Sequence, residues 1–288
     1  MHDLNYQLKN LAKKYPVAGR ATQRDREYAL SLIANQLWEA GYKDLDVDGL
    51  KGRHVNALVE RWKKEELSPG TIKNRMSALR WWAETIGKKS LIAKSNSHYG
   101  IAPRTYVTKT NKAVQLSSGD LERVRDFHVR LSLELQSEFG LRREESIKFR
   151  SSYADRGDHI RLKASWTKGG RYREIPITTE SQRALLDRVR DAAGRKALIP
   201  PDRTYKEQLK AYERETAHAG LSKMHGLRHE YAQCRYEKLT GWKAPAAGGP
   251  GAKELTVEQK AIGREARLTI SRELGHEREQ ITGVYLGR

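Results

Sequence analysis

The sequence predicts a mainly helical protein with a small β-sheet, an α+β fold built in two domains. Apolar residues recur at helical spacing through residues 1–87, and a basic segment without acidic residues follows them. Beyond it, one short alternating segment around a Gly-containing turn interrupts a second run of helical pattern. We therefore predict a helical domain over residues 1–87, a basic linker over 88–116 and a second domain over 117–288.

Three helices are predicted in the first domain. The first places near one face Tyr28, Leu32, Ile33, Leu37 and Trp38, and the second repeats the period with Val55, Leu58, Val59 and Trp62. The third begins at Ser68 as N-cap with Pro69 in its first turn, and it ends at Gly87. Its core stripe consists of Ile72, Met76, Leu79, Ala83 and Ile86. Another face carries Lys73, Ser77 and Arg80, which are either solvated or set in a groove of DNA.

The linker is the most positively charged part of the chain. Residues 88–119 carry six Lys or Arg and no Asp or Glu, and they are rich in Ser, Asn, Gly and Thr. Six uncompensated cations repel one another unless phosphates neutralise them, which favours a linker that spans DNA over one that is merely solvated. The candidate DNA-contacting residues are therefore Lys73, Arg80, Lys88, Lys89, Lys94, Arg104, Lys109 and Lys112.

Composition points to a polyanionic partner. The 288 residues carry a net charge of +19, which favours nucleic acid first and an anionic membrane second. No run of about 18 apolar residues is present, and residues 1–10 do not read as a signal peptide, so we expect a soluble, untargeted protein. The single cysteine, Cys234, excludes an intramolecular disulfide and a Cys-based zinc cluster, and we expect it to be an inert thiol.

The second domain is predicted to begin and end with helices. Residues 117–149 are helical, with Ser118 and Asp120 at the start. Residues 158–178 read as two strands around the turn at 167–170, with Pro176 near the far end. From Ser181 onwards the pattern is again mostly helical, apart from "GWKAPAAGGPGAKE" at 241–254, whose Gly and Pro content predicts a flexible loop.

Four short motifs in this domain each combine a Gly with basic or titratable residues. They are "FGLRREES" at 139–146, "WTKGGRYREIPI" at 166–177, "MHGLRHEYA" at 224–232 and "LGHEREQITGVYL" at 274–286. In this order they resemble the signature boxes of the tyrosine recombinases, the phage-integrase family, and most closely those of integrases of phages and integrative elements. The one departure is Phe139, which stands where the family has Thr. Residues 1–87 also resemble the family's helical core-binding domain.

The resemblance implies a C-shaped clamp on duplex DNA and a covalent 3′-phosphotyrosine intermediate. It implies a homotetramer on synapsed DNA, a monomer in free solution, no cofactor and no metal, and it allows an accessory excision factor. It also implies a cytoplasmic, nucleoid-associated protein of bacterial or phage origin. The family's catalytic residues correspond here to Arg142, Lys168, His225, Arg228, His276 and Tyr285. Supporting positions are Glu145 and His229.

Phosphoryl-transfer chemistry requires the same residue types. Attack of a phenol on a phosphodiester adds negative charge to the nonbridging oxygens, and the guanidiniums of Arg142 and Arg228 can bind these oxygens bidentately. A Lys168 ammonium at a hairpin tip can protonate the leaving 5′-oxygen, and His225 is placed for general acid/base work. His276 would hydrogen-bond a nonbridging oxygen.

Several alternatives stay open at this point. A type IB topoisomerase-like relaxer would share the site, and a catalytically silent DNA-binding regulator would share the DNA contacts. Arg143 is the alternative to Arg142 as the catalytic arginine of the first motif, and Tyr231 is the alternative to Tyr285 as the nucleophile. His225 and His229, four residues apart, could bind zinc, although Gly stands at 226 where a metalloprotease helix needs Glu.

The end of the chain raises a further hypothesis. Relatives generally continue past the tyrosine into an element that docks on the neighbouring subunit, whereas only three residues follow Tyr285 here. An extra stretch at about 240–264 is either a passive surface insertion or the source of that contact, with its Gly/Pro portion ordering only in the tetramer.

Overall fold

The computed structural model describes residues 2–16, 19–107, 110–167, 170–276 and 278–288. It divides into two compact units, Met1–Thr105 and Tyr106–Arg288. Both are dominated by helices, and one two-stranded sheet lies in the second unit. The predicted fold class, mainly α with a small β-sheet, is confirmed. Within the described part of the chain, every helix is too short or too polar to cross a membrane.

The described part of the first unit contains four α-helices: α1 (Asp3–Lys14), α2 (Arg20–Glu39), α3 (Gly52–Lys64) and α4 (Pro69–Thr85). The Ser68 hydroxyl accepts from the Thr71 N–H and Pro69 occupies the first turn of α4, as predicted. The α4 stripe is in the core, with Met76, Leu79 and Ala83 fully buried. On α2 the buried face contains Ile33 and Leu37 but neither Tyr28, which is 73 % exposed, nor Trp38, which is 36 % exposed.

Two tryptophans fix the centre of this unit, because each buries its ring and still satisfies its indole N–H. Trp62 of α3 donates to the side-chain oxygen of Gln36 on α2 over 2.8 Å. Trp82 of α4 donates over 2.8 Å to the carbonyl of Val47, in the short 3₁₀ turn between α2 and α3. One hydrogen bond thus joins α3 to α2, and the other joins α4 to the turn between them.

Residues 88–105, which the sequence assigns to the linker, fold as part of the first unit. Ile92 and Ile101 are buried in its core. Arg80 of α4 donates to the Ala93 carbonyl over 2.9 Å and to the Asn96 side chain over 2.7 Å. These contacts hold the segment against α4.

The second unit contains nine helices in its described part and a β-hairpin. The helices are α5 (Ser118–Arg123), α6 (Phe127–Phe139), α7 (Arg143–Ile147), α8 (Ser151–Ala154), α9 (Glu180–Ala193), α10 (Tyr205–His218), α11 (Gly226–Thr240), α12 (Val257–Glu273) and α13 (Glu279–Leu286). The hairpin strands, β1 (His159–Leu162) and β2 (Arg173–Pro176), are antiparallel with Ile160 opposite Ile175. Its core lies between α6, α9, α11 and the hairpin.

The predicted Gly/Pro loop between α11 and α12 packs against the C-terminal helix. Ala244 is fully buried and Trp242 lies against the same core. A 3₁₀ turn, Pro245–Ala247, follows, and Ala246 lies so close to Gly287 that a Cβ there would come within 2.8 Å of the Ala246 nitrogen. Residues 257–264 of the predicted insertion form the first turns of α12.

Candidate active site

The candidate site is built around the hydroxyl of Tyr285, which lies near the end of α13 and is 6 % exposed. The Nε–H of Arg228 donates to this hydroxyl over 3.3 Å. Ring centroids of His229, His225 and His276 lie 4.8, 6.2 and 6.2 Å from that of Tyr285. The third and fourth sequence motifs therefore meet at a single phenol.

Arg228 is held by backbone carbonyls from two other motifs. Its Nη1 donates to the carbonyl of Gly140 and its Nη2 to that of Leu274. The side chain is 1 % exposed, and this burial lowers its pKa to about 10, so the guanidinium stays charged at neutral pH. Of its five N–H groups, three are used in these bonds with described residues, which leaves one on each terminal nitrogen.

Arg142 reaches the same place from the first motif. Its Nη2 donates over 3.4 Å to the Leu274 carbonyl, the acceptor that it shares with Arg228. Its Nη1 donates over 2.8 Å to Glu145, and its side chain is 20 % exposed. One guanidinium is thus buried beneath the phenol, and the other is partly open to solvent.

Two glycines explain how the chain brings these groups together. Gly140 ends α6 in the left-handed region at φ +60°, a conformation that glycine adopts without the cost of a Cβ. An added Cβ at this position would lie 2.5 Å from the Tyr231 ring. Gly226, at the start of α11, lies so close to residues 112–114 that a Cβ would come 2.6 Å from the Lys112 carbonyl. At both positions the neighbouring atoms leave no room for a Cβ, so the packing requires glycine.

Glu145 joins the first motif to the β-hairpin. Its carboxylate accepts the backbone N–H of Arg142 over 2.7 Å and both terminal nitrogens of Arg173, over 2.8 and 2.6 Å. Glu145 is fully buried and Arg173 is 5 % exposed. Burial opposes ionisation, but the hydrogen bonds and charges of the two arginines outweigh it and lower the pKa of Glu145 to about 2. The carboxylate is therefore ionised at neutral pH.

The three histidines around the phenol are neutral at pH 7. Burial and the neighbouring cations, Arg228 among them, lower the pKa of His276 to about 4 and also lower that of His225. Burial and the nearby His225 lower the pKa of His229 to about 4. The Nε2 atom of His276 is buried without a hydrogen-bond partner among the described residues. A ring nitrogen is thus available for a bound oxygen.

The backbone of Tyr285 is tied to the start of the second unit. A carbonyl in the last turn of a helix lacks an intrahelical partner, and the buried Gln233 side chain donates to the Tyr285 carbonyl over 3.0 Å. The same amide exchanges two hydrogen bonds with Asn111, of 2.8 and 3.2 Å. Lys112, one of the predicted DNA-contacting residues, is exposed next to this pair and helps to lower the pKa of His229.

The other predicted DNA-contacting residues have varied surroundings. Lys94 and Arg104 are exposed, and Lys73 is half-buried. Lys89 forms an exposed ion pair of 2.6 Å with Glu84. The Lys88 ammonium donates to the carbonyls of Asp48 and Leu50, and Arg80 is engaged in the contacts with residues 93–96. Lys109 and the predicted proton donor Lys168 lie outside the described residues.

The rivals of the predicted residues have other partners. Arg143 forms a salt bridge of 3.0 Å with Glu213 on the exposed surface. Tyr231 is 8 % exposed, and its hydroxyl donates to Glu273 over 2.9 Å. Burial, together with that carboxylate, raises the pKa of Tyr231 well above its usual range. A phenol in these surroundings is a poor nucleophile.

Three features of the site were not predicted: Arg173, the pair of Gln233 and Asn111, and the carbonyls that hold Arg228. Arg173 carries a readable signal, because it shares a strand face with the buried Ile175 at a spacing of two. A charged residue on the inward face of a strand must find a partner. Contacts between residues 122 positions apart, and bonds to carbonyls, leave no such pattern in one sequence.

The described residues contain no group of three or more His, Cys, Asp or Glu side chains that could hold a metal ion. His225 and His229, the two candidates for a zinc site, have ring centroids 5.7 Å apart. No third ligand accompanies them in the described ranges.

Comparisons with solved structures identify the fold. XerH, a site-specific recombinase solved on palindromic difH substrate, is 18% identical and matches over 98% of this chain and 80% of its own, with a TM-score of 0.59. Lambda integrase, solved as a tetramer on a Holliday junction, is 15% identical and matches over 98% of this chain and 76% of its own, with a TM-score of 0.64. The Tn1549 transposon integrase, solved with circular intermediate DNA, is 14% identical and matches over 100% of this chain and 96% of its own, with a TM-score of 0.58. The chain therefore has the fold of the tyrosine recombinases.

Two family models then match consecutive parts of the sequence. The model described as "Phage integrase, N-terminal" matches residues 1–92, and the model described as "Integrase" matches residues 104–234. No curated protein matches the chain. Together the two models span most of the sequence, and the protein belongs to the phage-integrase family of tyrosine recombinases.

Proposed function

We propose that the protein is a site-specific DNA recombinase, an integrase that cleaves and rejoins duplex DNA through a covalent 3′-phosphotyrosine and so integrates or excises a mobile element. Its family and its fold support this activity. The observation that carries the proposal is that Arg228 donates to the hydroxyl of Tyr285 and shares the Leu274 carbonyl with Arg142. One phenol and two guanidiniums thus lie next to one another.

In the proposed reaction the Tyr285 oxygen attacks the phosphorus of a DNA phosphodiester. A bond forms between the phenol oxygen and phosphorus, the bond from phosphorus to the 5′-oxygen breaks, and that oxygen takes a proton to leave as a 5′-hydroxyl. The phosphotyrosyl bond conserves the energy of the phosphodiester, so a 5′-hydroxyl from the partner duplex can displace the tyrosine and rejoin the strands.

The site supplies charge and proton transfer for this step. Arg142 and the two N–H groups of Arg228 that have no partner among the described residues would bind the nonbridging oxygens, where the transition state gains negative charge. The Nε2 of His276, which has no hydrogen-bond partner in the described part of the chain, is a further candidate for these oxygens. We assign acceptance of the phenol proton to the neutral His225 and protonation of the 5′-oxygen to Lys168. Glu145 and His229 would hold these groups in place.

The first unit is proposed to be a core-binding domain that closes the clamp on DNA, with the second unit as the catalytic domain. The net charge of +19 and the exposed Lys94, Arg104 and Lys112 favour contacts with phosphate. We propose a monomer in free solution and a homotetramer on synapsed DNA, since the similar lambda integrase was solved as a tetramer on a Holliday junction. An accessory excision factor and a location at the nucleoid complete the proposal.

A recombination assay tests the activity. Sequencing the junctions of the element that encodes the chain gives the attachment site, and two duplexes that carry this site are then incubated with the protein. We expect exchanged products and a Holliday-junction intermediate. Relaxation of supercoiled DNA without joining of two sites would instead indicate a topoisomerase-like enzyme. Binding without any covalent adduct would indicate a silent regulator.

A further inference from the structure

Arg173 is a buried cation directly behind the site. It lies at the start of β2, the second strand of the hairpin, and its side chain points inward with that of Ile175. Both of its terminal nitrogens bind the carboxylate of Glu145, at 2.8 and 2.6 Å. Planar bidentate pairing of this kind fixes the orientation of the carboxylate as well as its distance.

The same carboxylate is bound to Arg142. Its Oε1 accepts from the terminal nitrogens of both Arg142 and Arg173, each over 2.8 Å. A pair of Arg142 and Glu145 alone would have no net charge, and its attraction for a phosphate would be small. With Arg173 added, two cations face one anion, and the cluster keeps a charge of +1. The low pKa of Glu145 means that protonation does not supply this compensation at neutral pH.

Arg173 also contacts the turn that presents His276. Gly275 has φ +70°, and a Cβ placed on it would lie 3.1 Å from Cδ and 3.2 Å from Nη1 of Arg173. The backbone of Gly275 therefore packs on the Arg173 side chain. The buried side chain of Arg173 thus links the hairpin to Glu145, the partner of Arg142, and to the turn before His276.

We propose that Arg173 is a positioning residue for DNA cleavage: by binding Glu145 it orients that carboxylate and leaves the charge of Arg142 available to the scissile phosphate. The inference rests on the proposed function. It does not require Arg173 to touch DNA. The charge and orientation that it provides act through Glu145 on Arg142.

The test compares cleavage of a nicked suicide duplex that carries either a normal phosphate or a neutral methylphosphonate at the scissile position. Cleavage at the neutral methylphosphonate depends less on positive charge in the site than cleavage at the phosphate does. We therefore compare, between each variant and the parent, the ratio of the rate on methylphosphonate to the rate on phosphate. For Arg173→Gln we expect this ratio to rise at least about tenfold. For Arg173→Lys, which keeps the charge, it should stay within about threefold.

A double variant tests the effect of charge by a second comparison, between Glu145→Gln and Glu145→Gln combined with Arg173→Gln. Glu145→Gln leaves two cations without an anion, so its ratio should fall below the parent's. Adding Arg173→Gln returns the cluster to +1 and should return the ratio to the parent value. Arg161→Gln is the matched control, because Arg161 pairs with Glu174 on the exposed face of the same hairpin, and its ratio should not change.

An unchanged ratio in Arg173→Gln would show that the residue is only structural and would overturn the proposal. If Arg173→Gln does not fold, identical ratios for Glu145→Gln and the double variant would overturn it in the same way. Failure of the proposed function looks different: the parent protein would then form no covalent adduct on normal DNA.

Discussion

Replacing Gly140 by alanine should destabilise the second unit by about 2–5 kcal/mol, the sum of two costs. Gly140 has φ +60°, and a left-handed conformation costs a residue with a Cβ roughly 1–2 kcal/mol. The new Cβ would also lie 2.5 and 2.9 Å from ring carbons of Tyr231 and 3.2 Å from Leu274. Overpacking of a buried site costs typically about 1–3 kcal/mol.

Gly220 provides the matched control. It has a similar φ of +71°, but nothing lies within 4 Å of an added Cβ. Gly220→Ala should therefore cost only the conformational part, about 1–2 kcal/mol. Calorimetric unfolding of both variants in the whole protein isolates the contribution of the contact with Tyr231. In both, the transition of the first unit should stay where it is in the parent protein.

The Gly140 variant should also lose activity. Relief of the contact with Tyr231 displaces the Gly140 carbonyl, which is one of the three groups that hold Arg228. Formation of the covalent adduct should therefore slow in Gly140→Ala at a temperature where the variant is folded, and not in Gly220→Ala. Equal destabilisation in the two variants would refute the packing of the first motif on Tyr231.

Three further predictions concern charge and position. Glu145 has a lowered pKa, so the stability that it contributes is present above pH 4.5 and is lost as the pH falls towards 2. The difference in unfolding free energy between the parent and Glu145→Gln should shrink by about 2 kcal/mol from pH 5 to pH 3, and a constant difference would contradict the assignment. Gln233→Leu should slow adduct formation at unchanged DNA affinity, because the Tyr285 carbonyl loses its buried donor, and a normal rate would show that this bond does not position the tyrosine. Lys94→Gln should lower the slope of log affinity against log salt by about 0.9, whereas Lys88→Gln, whose ammonium serves two carbonyls, should not; equal slopes would remove Lys94 from the DNA interface.

The sequence predicts those parts of the fold that depend on local pattern. The core stripe of α4 and its Ser68 cap follow from periodicity and capping preference, and both are present in the structure. The pattern fails at Tyr28, because helical spacing cannot say which side of an amphipathic face meets another helix. The assignment of residues 88–116 to a linker follows composition alone. Composition does not show that two residues of this segment, Ile92 and Ile101, are buried in the core of the first unit.

The site divides in the same way. The resemblance of the four motifs to the family's signature boxes implies Arg142, Arg228, His276 and Tyr285, and the structure brings these four residues together. Their supports come from tertiary contacts between distant parts of the chain. Gln233 meets Asn111 only because α11 passes the start of the second unit, and no spacing in the sequence encodes that meeting.

The proposed reaction requires that the Tyr285 hydroxyl becomes covalently bound to DNA. A nicked suicide duplex traps the adduct, and nuclease digestion followed by peptide mass spectrometry locates the modified tyrosine. We predict one modified peptide, containing Tyr285, and no adduct from Tyr285→Phe at undiminished DNA binding, while Tyr231→Phe still forms one. An adduct on Tyr231, or one that persists in Tyr285→Phe, would contradict the assignment of Tyr285 as the nucleophile.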